Sequence, residues 1–437
     1  MNHLVSVREY ARLTTEPGIA SLDCAQVSAS AFDYLCRLNS TFSKGGAQLV
    51  QVEDRRWLRL DNHVGVIQTP CGTTLEILPK HHDHGDDVGS CRALLRKMIQ
   101  ALLELPRRTA GQADLERFDA PLTEWVMRRF LTELDLIVKR GVRFDYQRIE
   151  DELPFLRGQL DVMAQMRQPP GRAHRFQVRH DVFVPDRPEN RLLKLALVRV
   201  REATRDPDNW RLAQELSSRL SDVPTSGRVR DDFRAWGSDR LMAHYRAVKP
   251  WCELILSRSM PMALMGSQAG LSLLFPMEKL FEHYVARWLR MNLPPEVHLT
   301  VQAARESLCL HEDKPMFQLS PDLLLTHKGR RWVLDTKWKR IDEANREAKY
   351  GLSQSDFYQM YAYGQKYMTG QGRMALIYPR SGSFVDALPP FSFSQSMHLH
   401  VLPFDLDAEV LLGWDGLEVG AIDGSGLPAG SKHHSCS

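Results

Sequence analysis

The sequence predicts an α/β protein, α+β overall, made of several domains. Three observations carry that expectation. The chain has 437 residues, which at roughly 150 residues per domain is about three units. Its N-terminal part is written in short, partly alternating apolar runs, whereas its middle follows helical periodicity. Beyond residue 271, helix and strand patterns follow one another, the mixture from which layered α/β domains are built. Apolar residues make up 43% and charged residues 25%, which excludes wholesale disorder. Lys+Arg 57 against Asp+Glu 54 leaves a net charge of +3, so a polybasic nucleic-acid coat is excluded while a local basic groove is not.

The elements follow in order. Gln48 to Val52, Trp57 to Leu60, Val64 to Gln68 and Thr74 to Pro79 read as strands split by Gly, Asp and Asn. Ser28 to Arg37 is a short helix candidate. A stronger helix spans Cys91 to Leu105, with Leu94, Leu95, Met98, Leu102 and Leu105 on one face. Pro106 and a polar stretch close this β-rich range, taken as residues 1–110. The middle range, 111–258, opens with a helix from Pro121 to Lys139 that Gly141 caps. Extended segments at Arg157 to Asp161 and Phe176 to Phe183 precede helices at Asn190 to Ala203, Trp210 to Ser221 and Phe233 to Leu256. The third range, 259–412, holds a helix at Met277 to Met291 behind Pro276. Two strands, a second helix and a strand at Met374 to Pro379 come after it. Residues 413–437 end in a small, polar tail from Gly424, a composition that predicts disorder.

The seven cysteines are scattered and form no C-x-x-C, which argues against a disulfide framework or a thiolate zinc site and suits a reducing cytosol. The first ten residues show no basic region followed by an apolar core, so no signal peptide is expected. The longest uncharged run, Ser259 to Met277, contains Pro261, Pro276, Gly266 and Gly270. It reads as a linker and a buried strand rather than a membrane span.

The chemistry lies in Ser320-Pro-Asp-Leu-Leu-Leu-Thr-His-Lys-Gly-Arg-Arg-Trp-Val-Leu-Asp-Thr-Lys-Trp-Lys. Leu323 to Thr326 and Arg331 to Leu334 are strand candidates joined by Lys328-Gly329, a two-residue hairpin turn. Counting outward from that turn, His327 opposes Arg330, Thr326 opposes Arg331 and Asp322 opposes Asp335. Opposed residues share a face, with Cβ atoms about 4.5–5.5 Å apart. Two carboxylates so placed repel unless a cation sits between them, and Mg²⁺ is held by one or two carboxylates plus waters and phosphate oxygens. Lys337 follows Asp335 by two residues and therefore shares its face. An ammonium there can orient water and neutralise a phosphorane-like transition state. The bland alternative is a solvated hairpin. Three neighbours weigh against it: Glu278 and Glu282 one turn apart on the preceding helix, Gln359 and Tyr363 at i and i+4 on the following one, and the cations Lys328, Arg330, Arg331, Lys339, Arg340, Arg346 and Lys349, suited to phosphate contacts.

The order of acidic helix, P-D strand, D-x-K strand and Q-x-x-x-Y helix resembles the PD-(D/E)xK nuclease superfamily, and the Gln359/Tyr363 pair resembles its RecB-like branch. Phe275-Pro-Met-Glu-Lys-Leu-Phe-Glu-His-Tyr-Val, Pro321-Asp322, Leu334-Asp-Thr-Lys-Trp-Lys, Asp356-Phe-Tyr-Gln-Met-Tyr-Ala-Tyr and Leu376-Ile-Tyr-Pro together resemble the McrC family, the nuclease subunits of McrBC-type modification-dependent restriction systems. Gly158-Gln-Leu-Asp, His180 to Lys194 and Leu75-Glu-Ile-Leu-Pro-Lys are similar to its upstream parts. The resemblance covers most of residues 4 to about 405. It implies a restriction-endonuclease-like C-terminal domain in which Asp322 and Asp335 bind Mg²⁺, Glu282 adds a carboxylate to that metal shell and Lys337 is the catalytic lysine, with Gln359 and Tyr363 in the same active-site set. It also implies an N-terminal domain that docks on an AAA+ GTPase ring subunit of the McrB kind, double-stranded methylated DNA as substrate, and a cytoplasmic location. The chain carries no G-x-x-x-x-G-K-[ST] loop, consistent with GTP being bound by the partner. Two other readings stay open: a non-catalytic adaptor that activates the AAA+ motor, and a stand-alone RecB-like nuclease.

Other features carry less. Lys80-His-His-Asp-His-Gly-Asp-Asp reads as a solvated loop rather than a metal site, as do His433 and His434. Between Arg157 and His180, five arginines face one aspartate, a stretch that could track DNA, meet an acidic partner or simply be solvated. No G-x-S-x-G or H-E-x-x-H motif supports a serine hydrolase or a zinc protease.

Overall fold

The computed structural model describes residues 4–18, 20–43, 48–80, 87–104, 120–172, 174–237, 239–256 and 272–413. The His-rich loop after Lys80, the linker after Leu256 and the C-terminal tail lie outside these residues. The chain begins β1 (Leu4–Arg8), β2 (Arg12–Thr14), β3 (Cys24–Gln26), α1 (Ala29–Ser43), β4 (Val50–Val52), β5 (Trp57–Leu60), β6 (His63–Gln68), β7 (Thr74–Leu78) and α2 (Val88–Leu102). The middle runs α3 (Leu122–Arg140), β8 (Asp145–Leu153), β9 (Gln159–Leu160), α4 (Val162–Met166), β10 (Phe176–Val184), α5 (Pro188–Ala203), α6 (Pro207–Arg219), α7 (Val229–Ala235) and α8 (Lys249–Leu256). Then come β11 (Leu273–Pro276), α9 (Met277–Asn292), β12 (His298–Val301), β13 (Glu306–His311), β14 (Lys314–Leu319), β15 (Leu323–His327) and β16 (Arg330–Thr336). The last elements are α10 (Gln354–Met368), β17 (Gly372–Pro379), β18 (Leu388–Ser392), β19 (Met397–Asp405) and β20 (Val410–Leu411).

Two compact units result, one of residues 1–78 with 105–275 and one of 79–104 with 276–437. They cut across the three ranges suggested by the sequence. The helix α2 joins the C-terminal unit because it packs on α9, where Arg287 Nη1 donates to the Gln100 carbonyl at 2.9 Å and Arg290 pairs with Glu104 at 2.8 Å.

In the first unit, β1-β7-β6-β11 form one sheet and β3-β2-β5-β4 another. Val7, Leu13, Leu58, Ile67, Leu75, Ile77 and Leu274 share their core. Each such fully buried aliphatic side chain contributes roughly 1.5–3 kcal/mol. The strand β11 approaches β6 at Gly65, whose φ of +134° and missing side chain are both required there: a Cβ would strike the Leu273 carbonyl.

The middle is less purely helical than its periodicity suggests. β8, β10 and β9 form an antiparallel sheet, and β8 escapes sequence reading because Asp145 to Leu153 is mostly polar and mostly exposed. That strand also answers the arginine-rich stretch. Arg172 and Arg175 pair with Glu152 at 3.5 and 3.1 Å, and Arg179 with Glu150 and Asp161 at 2.9 and 2.6 Å. The single helix expected over Phe233 to Leu256 is instead α7, a 3-10 segment at Arg240–Tyr245 and α8. Gly237 separates the first two, Asp239 caps the second through Met242 N, and Pro250 restricts the start of the third.

The C-terminal unit is a seven-stranded mixed sheet ordered β12-β15-β16-β17-β19-β18, with β20 on β19. The α9 face of Leu280, Phe281, Val285 and Leu289 is buried, and Phe281 packs on Trp338 and Phe404. Met360, Tyr363 and Tyr367 of α10 pack with Leu324, Val333, Met374, Leu376 and Leu399. Among the described residues the cysteines are free, and no helix is long and apolar enough to cross a membrane. Replacing Gly65 by Ala is expected to cost on the order of 2 kcal/mol or more, read as a lower urea midpoint at unchanged slope.

Candidate active site

The turn between β15 and β16 places everything that follows. Lys328 and Gly329 have φ of +47° and +79°, the pattern of a two-residue hairpin turn with both central residues left-handed. The register is Leu323↔Leu334 through His327↔Arg330, as counted from the sequence. Asp322 stands one step before β15 and Asp335 one step beyond the last paired residue. Past that point β16 is paired on its other side, parallel to β17, with Asp335 opposite Leu376. The aspartate is therefore carried by a strand held on both edges.

Asp335 is 2% exposed. Lys337 Nζ lies 2.6 Å from its Oδ2 and forms a buried ion pair with it. Burial first, then the Asp322 charge, pushes its carboxyl up to about 6 against the pull of Lys337. Asp322 is half-buried. Its Oδ2 accepts from Thr336 N and Oγ1 at 2.9 and 2.8 Å, and its Oδ1 from Gln302 Nε2 at 3.1 Å. These bonds aim a charge at Asp335 that would otherwise swing away.

Burial works against the Lys337 ammonium, yet Asp335, Asp356 and Asp322 keep its pKa above the ordinary lysine value. At neutral pH it is a cation and a donor, not a base. It donates to Gln359 Oε1 at 3.2 Å. Gln359 Nε2 donates to the Tyr363 hydroxyl at 2.7 Å, which donates to the Ser320 carbonyl at 3.1 Å. The i, i+4 pair thus forms a strut from the backbone ahead of Asp322 to the lysine. Burial and then the Asp335 charge raise the Tyr363 hydroxyl to about 12, so it stays protonated.

Glu282 is buried on α9, its Oε2 2.7 Å from Lys279 Nζ and its Oε1 accepting from Gln302 Nε2 at 2.6 Å. It reaches Asp322 through Gln302 but completes no three-carboxylate cluster: among the described residues no group of three His, Cys, Asp or Glu could hold a metal. Glu278 touches this network through its charge, which adds to the groups raising Lys279. Two contributors were not legible in the sequence. Gln302, left-handed at φ +50°, joins the two acids across 20 residues of chain. Asp356 is buried 3.8 Å from Lys337 Nζ and 3.3 Å from Lys339 Nζ. Its only sequence signal was a place in the first turn of the helix that carries Gln359.

A family model described as McrBC 5-methylcytosine restriction system component matches residues 58–379. The chain belongs to that family. Among solved structures, this family member is similar to McrC in a refined half-complex from the tetradecameric assembly of Thermococcus gammatolerans McrB AAA+ hexamers, with 19% identity, 96% of each chain covered and a TM-score of 0.68. It is also similar to a chain of the cryo-EM structure of the Thermococcus gammatolerans McrBC complex, at 20% identity over 69% of this chain and 89% of that one, TM-score 0.52. At such identities the likeness speaks for the fold. No curated protein matches the sequence.

A pH test follows from Asp335. Its folded pKa, about 6, exceeds the ordinary 3.8, so the charged form destabilises the fold above that range. The cost is absent near pH 4, grows between about 4 and 6 and is complete above about 6. Asp335→Asn in EDTA is expected to be more stable than wild type near pH 8, by up to about 3 kcal/mol, with the gain gone near pH 4. Urea unfolding at both pH values checks it.

Proposed function

We propose that this chain is the DNA-cutting subunit of a modification-dependent restriction complex, hydrolysing phosphodiesters with Mg²⁺. The observation that carries the proposal is the buried Asp335 carboxylate, which burial and the Asp322 charge push up even though Lys337 pairs with it. Such a pair is poorly neutralised by one lysine and fits a hard divalent cation with oxygen ligands. Asp322 and Asp335 would hold it; once bound, it supplies Lewis-acid and water-activating chemistry at phosphorus. Lys337 places a permanent positive charge where phosphate oxygens gather negative charge. Gln359 and Tyr363 act as positioning residues for that ammonium, and Glu282 orients Gln302 behind Asp322. An adaptor with no chemistry to do has no physical reason to retain a buried carboxylate at this cost.

The solved McrC chains occur with McrB AAA+ hexamers. We extend that arrangement here: an AAA+ GTPase ring binds and hydrolyses GTP and selects methylated double-stranded DNA, in the cytoplasm, and this chain docks on it and stimulates it. The first unit offers a surface of the required kind. Phe144 stacks on Phe183 with centroids 5.0 Å apart, and Tyr146 lies 4.9 Å from the same ring, all three exposed. Exposed aromatic groups of this kind mark association surfaces.

The decisive assay uses methylated and unmethylated plasmid, Mg²⁺, GTP and the GTPase partner. Cutting only of methylated DNA, dependent on partner and GTP and abolished in Asp335→Ala, is the expected result. Cutting by the chain alone would mean an autonomous nuclease. No cutting, with GTP hydrolysis stimulated equally by wild type and variant, would mean an adaptor. In the same assay Tyr146→Ser with Phe183→Ser is expected to lose most GTPase stimulation while folding normally by circular dichroism.

A further inference from the structure

The C-terminal unit contains an open cleft of about 660 Å³ that the chemistry above does not use. Its floor is aromatic: Tyr350 and Phe391 have centroids 6.2 Å apart at 79°, and Phe357 and Phe391 5.1 Å apart at 87°. In these edge-to-face pairs one ring's edge meets the other's face, and all three rings are only partly buried. Arg346 and Lys349 stand at the rim with no acid lining the cleft, and among the described residues neither has an ion-pair partner. Lys349, Tyr350 and Gly351 are successively left-handed, with φ of 54°, 59° and 80°, a tight turn that brings the cation and the ring together. The cleft ends at the start of α10, where no side chain caps the Gln354 and Ser355 amides, while Asp356 N bonds the Ser353 carbonyl and the Asp356 carboxylate stands in the first turn.

We infer that this cleft takes one unstacked nucleotide of the DNA strand being cut, its base on the aromatic rings and its phosphate on Arg346, Lys349 and the helix N-terminus. The inference rests on the nuclease reading and adds a strand-holding site to it. Three features select this ligand. The volume lies within the roughly 300–1,000 Å³ range of small-ligand sites. Aromatic faces beside free cations are the pairing that unpaired nucleotides demand, because every base has a π-face and every link a charge. Location is the third. Phe357 follows Asp356, 3.8 Å from Lys337 Nζ, and precedes by two residues Gln359, which bonds that same nitrogen. The cleft and the lysine's supports are thus carried by the same first turns of α10. An apolar peptide is the competing occupant, but it would leave both cations and the helix end unanswered.

The test uses the full-length chain, with Arg346→Ala/Lys349→Ala as the main variant because both side chains are exposed, and Tyr350→Leu as the second. The probe is a fluorescent duplex bearing a short single-stranded extension with 5-iodo-deoxyuridine. Wild type is expected to photo-cross-link through a peptide containing Tyr350, Phe357 or Phe391. Each variant is expected to bind the extended probe about tenfold more weakly and a blunt duplex less than about threefold more weakly. Cross-links mapping elsewhere, or equal losses on both probes, would overturn the proposal. So would unchanged DNA binding with lost association of the GTPase partner, which would make the cleft a peptide site. Methylated-plasmid cleavage separates the two readings: cutting without the cross-link defeats the cleft alone, and the cross-link without cutting defeats the chemistry alone.

Discussion

The register of one hairpin is the constraint on which the rest depends. Side chains alternate along a strand, so a one-residue slip between β15 and β16 would turn Asp335 and Lys337 to the opposite face. Three features prevent the slip. The Lys328-Gly329 turn admits two residues and demands left-handed backbone at both. Leu323, Leu325, Val333 and Leu334 are buried and would be displaced together. Beyond the hairpin, the parallel ladder to β17 fixes Asp335 against Leu376 independently of the turn. The side-chain network is downstream of this. Asp322 takes Thr336 N and Oγ1 only if the two strands end in step.

The hairpin was legible because its determinants are local: a two-residue turn and two apolar runs. The Gln359/Tyr363 pair was legible for the same reason, since i and i+4 fix a shared helix face without knowledge of the neighbours. Gln302 was not. It lies in an unpatterned stretch, and its role exists only once β12 and β15 pair and bring it between Glu282 and Asp322. β13 and β14 were hidden by exposure: most of their residues face solvent, so no alternation records them. β8 was hidden in the same way. Its acids become intelligible only opposite the arginines of β10, which is why the basic stretch could not be weighed from its own composition.

Electrostatically the site is over-supplied with negative charge. Asp322, Asp335 and Asp356 converge on Lys337, and Lys339 answers Asp356 alone. In a fold stabilised by a small difference between large terms, a buried carboxylate pushed to about 6 is a local cost. The ion pair does not cancel it, since bringing a lysine out of water is itself unfavourable. The network reads as held against repulsion by hydrogen bonds from outside: Thr336 and Gln302 on one aspartate, Gln359 on the lysine. Its members are anchored to different elements, which converts packing of α9 and α10 into alignment of charges.

The helix α10 does this for two purposes at once. Its inner face buries Met360, Tyr363 and Tyr367 on the sheet, leaving little freedom to rotate or slide. Tyr367 adds hydrogen bonds to the Ala303 and Leu319 carbonyls, at 2.7 and 2.8 Å, tying the helix to the backbone on both sides of the β13–β14 hairpin. On this fixed element, Asp356 and Gln359 meet the lysine while Phe357 forms part of the aromatic cleft. A flexible loop could present either set; only a rigid helix can hold both at constant separation. The proposed strand holding and the charge placement then depend on one packed surface, so a change in that packing reaches both.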